Sequence, residues 1–419
     1  PDAIRSRLKL RSGVKFHDGT PFNAEAVVFN LKRLMDPANR YRGYADLATV
    51  ADVRATGPLE VEIRMKSPSA PFASALADIS GMMISPAAVQ KYGKDYGANP
   101  VGTGPFTLKE WRRGNYIHAV RNPGYWSEGK PFLDEIFYRA MPDEQTRMAS
   151  LRTADIDVNL GPAPKDIADA LKDKSLNVID PGSLGTVFVM FQTASGPLAD
   201  PRVREALAYA TDRVAINKAL NYGIYKVART PFGEGLAPHE KVEGFREFDL
   251  KKAQALVKEI GRPIKFKLST STVPWSVRLA QALQQMWKKA GIETEIEQVE
   301  VVQIIRNATS HNFEASLFRW SGGSDPDANV YQFFHSKATR NYVSYANPEM
   351  DRLLEAGRAS TDANTRAGIY AQVSSLLVKD APYHFLFYYT PFMLTAKNVQ
   401  GVPRAADGML RPVGVWKGK

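Results

Sequence analysis

Two segments carry side chains suited to recognition chemistry, and one of them holds Arg278. It stands nine residues before Trp287 in a stretch, 275–290, whose apolar spacing predicts a helix. A guanidinium is planar, always charged and bidentate toward carboxylate, which suits an anchor for an anionic ligand. The second group is 317–327, LFRWSGGSDPD. Here an apolar strand ends at Trp320, and Ser321, Gly322 and Gly323 follow as a loop whose bare backbone can approach a ligand closely. Trp320, and Trp275 at the mouth of the Arg278 helix, can each supply a flat apolar wall. Arg319 is adjacent to Trp320 and points to the opposite face of the strand if the pleat is regular.

Catalytic patterns are missing. There is no G-x-S-x-G elbow, P-loop or dinucleotide fingerprint. Asp155/Asp157 and Asp325/Asp327 are paired acids, but residues two apart on a strand share a face. Sequence spacing alone cannot place two carboxylates about 5–10 Å apart across a substrate. The six histidines (His17, His118, His239, His311, His335 and His384) form no HxxxH or HExxH spacing, and there are zero cysteines. No catalytic residue, metal ligand or cofactor is therefore expected.

The elements that must position these groups are legible in outline. Residues 8–37, LKLRSGVKFHDGTPFNAEAVVFNLKRLMDP, read as a short strand, a polar turn and a helix. Asn23 is its N-cap, and Ala26, Val27, Phe29, Asn30, Leu31 and Leu34 form the inward stripe. A glycine-rich loop carries Gly102, Gly104 and Pro105. A phosphate cradle is disfavoured there, because no Lys-Ser/Thr follows and the next element is a strand. Residues 201–221 read as one helix, and 230–235, with two glycines and a proline, as a crossover. Helix 250–260, strand 264–270, helix 275–290 and strand 294–299 then alternate as in an α/β lobe with a partly parallel sheet.

At 419 residues the chain exceeds one compact core. Its 44% hydrophobic and 24% charged content is that of an ordinary globular protein, and no apolar run is long enough to span a membrane. The formal charge of +11 raises nucleic acid as a partner. However, the densest basic clusters, Lys109 with Arg112 and Arg113 and the pair Lys251-Lys252, each have an acid close by, Glu110 and Asp249. Nucleic-acid binding is not expected.

Three pieces in order carry a resemblance: the 8–37 segment, the Gly102/Gly104/Pro105 loop with Arg121-Asn122-Pro123-Tyr125-Trp126, and Asp200–Arg213, DPRVREALAYATDR. Together they resemble the extracytoplasmic solute-binding proteins, family 5, that feed ABC importers of the peptide/nickel/opine type. The resemblance covers residues 1–400. It implies a two-lobed periplasmic-binding-protein fold of cluster C type, α/β, with an extra α+β domain inserted in the first lobe. On that template 1–132 is mostly the extra domain, 133–230 the first lobe, 231–393 the second lobe and 394–419 a return to the first. Some dozens of residues are expected ahead of Pro1-Asp2, where no signal peptide is present.

The implied function is that of a periplasmic, monomeric receptor. It would capture a small peptide or peptide-like solute by hinge closure and deliver it to an ABC permease in the inner membrane. The alternatives are a nickel-chelate or sugar receptor of the same fold or, further off, a hydrolase. Peptide-binding relatives hold the ligand carboxylate with a basic residue in the Arg278 region. Their strand equivalent to 187–191 faces the cleft from the first lobe, which adds Phe188 to the ligand-binding set. They also carry an aspartate three residues beyond the Trp320 position, which pairs with the peptide ammonium. Here that position is Gly323, which favours ligands with a masked or displaced amine.

Overall fold

A computed structural model describes residues 4–39, 41, 43–236 and 242–418; Pro1, Asp2 and His239 lie outside the described residues. The largest sheet has five strands, in the order Ile292–Val299, Ile264–Ser271, Ala315–Trp320, Gly185–Phe191 and Tyr383–Tyr389. The first three run parallel and the last two pairings are antiparallel. The alternation read from 250–299 is therefore a partly parallel α/β sheet.

Strand Gly185–Phe191 shows why this sheet is covered on both faces. All seven of its residues are buried. Val187, Val189 and Phe191 join one apolar cluster with Leu279, Leu283 and Trp287. Phe188 and Met190 join another with Phe333, Tyr370 and Tyr383. Side chains alternate across a strand, so an unbroken apolar run is stable only with a layer on each side. That run lies between Ala315–Trp320 and Tyr383–Tyr389, both within 231–393, so the expectation that 185–191 lies in the first lobe is corrected.

Three further boundaries change. Phe232 is fully buried, with its ring centroid 5.8 Å from that of Tyr370, so 230–235 packs into the large unit and is not a crossover. The crossovers are the short links 180–184 and 390–392, which join the five-stranded sheet to a small sheet of Val158–Leu160, Met393–Ala396 and Leu176–Ile179. Strand Glu135–Arg139 pairs with Tyr116–Arg121, which itself pairs with Phe106–Arg112, so a boundary at 132 would cut a sheet. Finally, 201–221 is two helices, Pro201–Ala210 and Arg213–Asn221. Asp212 accepts from the Ala215 backbone N–H and restarts the chain as an N-cap.

The strand–turn–helix of the opening segment stands as read. Asn23 caps helix Ala24–Met35 through the Ala26 N–H at 3.0 Å. Buried Asn30 donates to the Ile84 carbonyl and accepts from the Ile84 N–H, tying the helix to the next loop. His17 reaches the Gly104 carbonyl at 3.0 Å, and Asn122 donates to the same oxygen at 2.9 Å. The turn, the glycine loop and the Asn-Pro element are thus one hydrogen-bonded structure, so their sequence features go together.

Candidate functional site

A cleft of about 1520 Å³ opens between the small sheet and the exposed end of the five-stranded sheet. Helix Pro274–Lys289 buries Leu279, Ala280, Leu283 and Trp287 at helical spacing, and Trp287 donates to the Thr211 hydroxyl at 2.9 Å. That fixes the other face of the helix toward the cleft, where Trp275 and Arg278 stand one turn apart. The Trp275 indole N–H donates to the Asn221 side-chain oxygen at 2.7 Å, which fixes the ring at the cleft wall. Its ring lies edge-on to Tyr225, with centroids 6.5 Å apart. Tyr225 in turn faces Phe392 of a crossover link at 6.3 Å.

Arg319 also lines this cleft. It shares a sheet face with Val187, its partner across the strands, and its guanidinium lies 4.5 Å from the centre of the Tyr389 ring. The regular pleat that separates Arg319 from Trp320 is observed, but the face open to the cleft is the arginine's. Arg278, Arg319 and Trp275 therefore all line this cleft.

The other candidates go elsewhere. Trp320 sits on the far face, edge-on to Phe333 at 5.2 Å, and donates its indole N–H to Asn329 at 3.0 Å. Phe188 is buried and stacked on Tyr383 at 4.6 Å. Ser321 is exposed away from the cleft wall. Gly322 has φ +86°, and a Cβ there would meet the Leu184 carbonyl carbon at 2.2 Å. Gly323 donates its N–H to the Asn329 side-chain oxygen and accepts from its amide, so both its backbone groups are occupied. A Cβ on Gly323 would lie 2.6 Å from that of Ala328, which leaves no room for an aspartate at this position. The glycines serve close backbone packing, not ligand approach.

Asp325 and Asp327, expected as capping residues, hold two charge pairs below the loop. Asp325 takes both terminal nitrogens of Arg366 at 2.6 and 2.9 Å, and Asp327 takes Arg358 at 2.6 and 3.2 Å. Asp325 also accepts the Asp327 backbone N–H at 2.9 Å, which is its capping share.

Sequence reasoning passed over Tyr225, Tyr389, Phe392 and Glu144 as cleft residues. Tyr389 and Phe392 fall in and just beyond an aromatic-rich strand that reads as core. Tyr225 lies in a loop without periodicity, and Glu144 opens a helix like many other first-turn acids. Asn159, buried on the cleft wall, has neither side-chain amide atom partnered among the described residues. No group of three His, Asp or Glu among those residues converges to hold a metal ion.

An aromatic wall flanked by exposed guanidiniums, set between two connected sheets, can enclose a small anionic solute. Comparison with known proteins agrees in kind. The family model of bacterial extracellular solute-binding proteins, family 5, middle region, matches residues 1–341. The glutathione-binding protein GsiB of Escherichia coli (strain K12) is 31% identical over 418 residues, covering 96% of this chain and 80% of that protein. The oligopeptide-binding protein AppA of Bacillus subtilis, solved with a nonapeptide, superposes with a TM-score of 0.87 at 26% identity, over 100% of this chain and 88% of the other. AgaA of A. tumefaciens R10, solved with agropinic acid, shares the fold at TM-score 0.89 and 24% identity, over the same shares. The opening segment, the sheet order and the cleft thus have one explanation: the chain belongs to the bacterial extracellular solute-binding proteins, family 5.

Proposed function

We propose that this chain is the periplasmic receptor of an ABC importer and that it captures a short peptide or peptide-like anion in the cleft. The observation that carries the reading is Arg278. It is exposed on the cleft wall one turn from Trp275, and among the described residues it has no ion pair or side-chain hydrogen bond. A guanidinium left unpaired on a cleft wall, one helical turn from an indole, is a ready partner for a ligand carboxylate. That relatives bind glutathione and peptides supports the same class of solute. Closure would turn on the two short links, 180–184 and 390–392, because they alone connect the small and large sheets. The ligand drives closure by its differential affinity for the closed form, which is the form offered to the permease.

A thermal-shift panel of di- and tripeptides, glutathione, opines, sugars and nickel chelates tests this. A true ligand at about a hundred times its Kd adds roughly 2.7 kcal/mol of stability. Peptides or glutathione should stabilise the protein, and Arg278→Ala should weaken that binding by at least about tenfold. Stabilisation confined to sugars or nickel chelates would overturn the peptide reading. Unchanged affinity in Arg278→Ala would remove the anchor.

A further inference from the structure

Helix Arg213–Asn221 turns a polar stripe inward. Ile216 packs in the apolar cluster with Leu279 and Trp287, which fixes the inner face of the helix. Arg213, Asn217 and Asn221, spaced four apart, lie along that side. Each of the three grips a different element. Arg213 donates to the Phe385 carbonyl of the five-stranded sheet at 2.9 Å. Asn217 donates its side-chain amide to the Tyr225 carbonyl. Asn221, fully buried, accepts the indole N–H of Trp275 at 2.7 Å.

The last of these contacts makes good a weakness in helix Pro274–Lys289. Its N-cap residue is Val273, which offers no side-chain acceptor to the first turn. Trp275 stands in that uncapped turn and Arg278 just after it. The bond from the Trp275 indole to Asn221 ties the turn to the core instead. Tyr225, whose backbone Asn217 holds, meets the Trp275 ring edge-on at 6.5 Å and faces Phe392 of the 390–392 link at 6.3 Å. Stability alone does not account for Asn221. Its side-chain nitrogen is buried and makes no hydrogen bond among the described residues, a desolvation cost that an apolar side chain at 221 would avoid.

We infer that Asn221 is a positioning residue of the receptor: through the Trp275 indole it holds the uncapped first turn of helix Pro274–Lys289, and with it the direction of Arg278 into the cleft. This rests on the receptor reading above and deepens it. An arginine at the end of a frayed turn samples many orientations, and a solute that pairs with it has to order them. A turn fixed beforehand spares the solute that entropy. Asn221 itself lies behind Trp275 and does not reach the cleft wall, so its effect on binding passes through the indole.

Two measurements test the inference. In the free protein, the fluorescence that disappears in Trp275→Phe reports the Trp275 ring, and Asn221→Ala should make that emission more open to acrylamide quenching. In isothermal titration with glutathione and with trialanine, Asn221→Ala should weaken whichever solute the wild type binds by about three- to tenfold. Trp275→Phe keeps a ring without the N–H donor. It should weaken binding as well, and adding Asn221→Ala to it should weaken binding no further. Unchanged quenching, or an equal further loss in the Trp275→Phe background, would overturn the inference while leaving a peptide receptor standing. If Asn221→Ala does not fold, Trp275→Phe decides alone: a three- to tenfold loss supports the inference, and unchanged affinity overturns it. Failure of both solutes to bind the wild type would overturn the peptide reading and this inference with it.

Discussion

Arg213 and His384 show how much a single buried contact decides. Arg213 sits at the start of its helix with its side chain inside the protein, where burial pulls its pKa down to about 10. It donates to the carbonyls of Phe385 and Arg246 and to Nδ1 of His384 at 3.2 Å. An imidazole that accepts at Nδ1 is neutral, with its proton on Nε2. Burial, then the charges of Arg213 and Arg246, hold His384 well below its ordinary value. The unfolded chain takes up this proton below about pH 6.5 and the folded chain does not. Stability is therefore fully present above that pH and falls as the pH drops through it, by up to about 1.4 kcal/mol per unit. Denaturant unfolding at pH 7.5 and 5.5 should show the loss, and His384→Gln should flatten it. In the sequence Arg213 looks like any first-turn helix residue and His384 like one more polar residue in an aromatic strand. Neither role is legible there, because each depends on a contact 171 residues away.

Among the elements, the loop after strand Ala315–Trp320 is held by two ion pairs in addition to the close packing of its glycines. Asp325 and Asp327 each grip an arginine from a different helix, Arg366 of Ala363–Asp380 and Arg358 of Pro348–Ala359. Removing one partner strands a desolvated carboxylate. Arg366→Ala should cost about 2–4 kcal/mol in equilibrium unfolding, at the lower side for a broken buried pair because the guanidinium keeps some solvent contact. A change under about 0.5 kcal/mol would mean that the pair contributes nothing net. The same loop explains why Trp320 misled. A tryptophan before Ser-Gly-Gly has the composition of a ligand wall, but Asn329 and Phe333 take its N–H and its ring from the next helix. The split of 201–221 into two helices has a local signal, Thr211-Asp212-Arg213, that a continuous apolar spacing conceals. Periodicity finds a helix more readily than it finds a break between two.

For the whole molecule, the crossing of backbones at the first link decides how the sheets are joined. A Cβ on Gly185 would lie 2.0 Å from the Trp320 carbonyl oxygen, and one on Gly233 would lie 2.0 Å from that of Ser183. Three segments thus meet where only glycine fits, beside the 180–184 link. Gly185→Ala should lower stability by about 1–3 kcal/mol, as overpacking does, and thermal unfolding measures it. An unshifted Tm would mean that the backbones yield freely there. The sequence by itself determined the local elements, the family and the α/β class. Periodicity, caps and turn residues act over a few positions and need no distant partner. It also singled out Arg278, Trp275 and Arg319, whose chemistry is their own. Only the tertiary structure decided that strand 185–191 lies at the centre of the large sheet, and that Arg319 and not Trp320 faces the cleft. It also brought Glu144, on a helix packed against the small sheet, to the cleft wall. Those are choices of which face meets which layer, and they are set by packing between segments far apart in the chain.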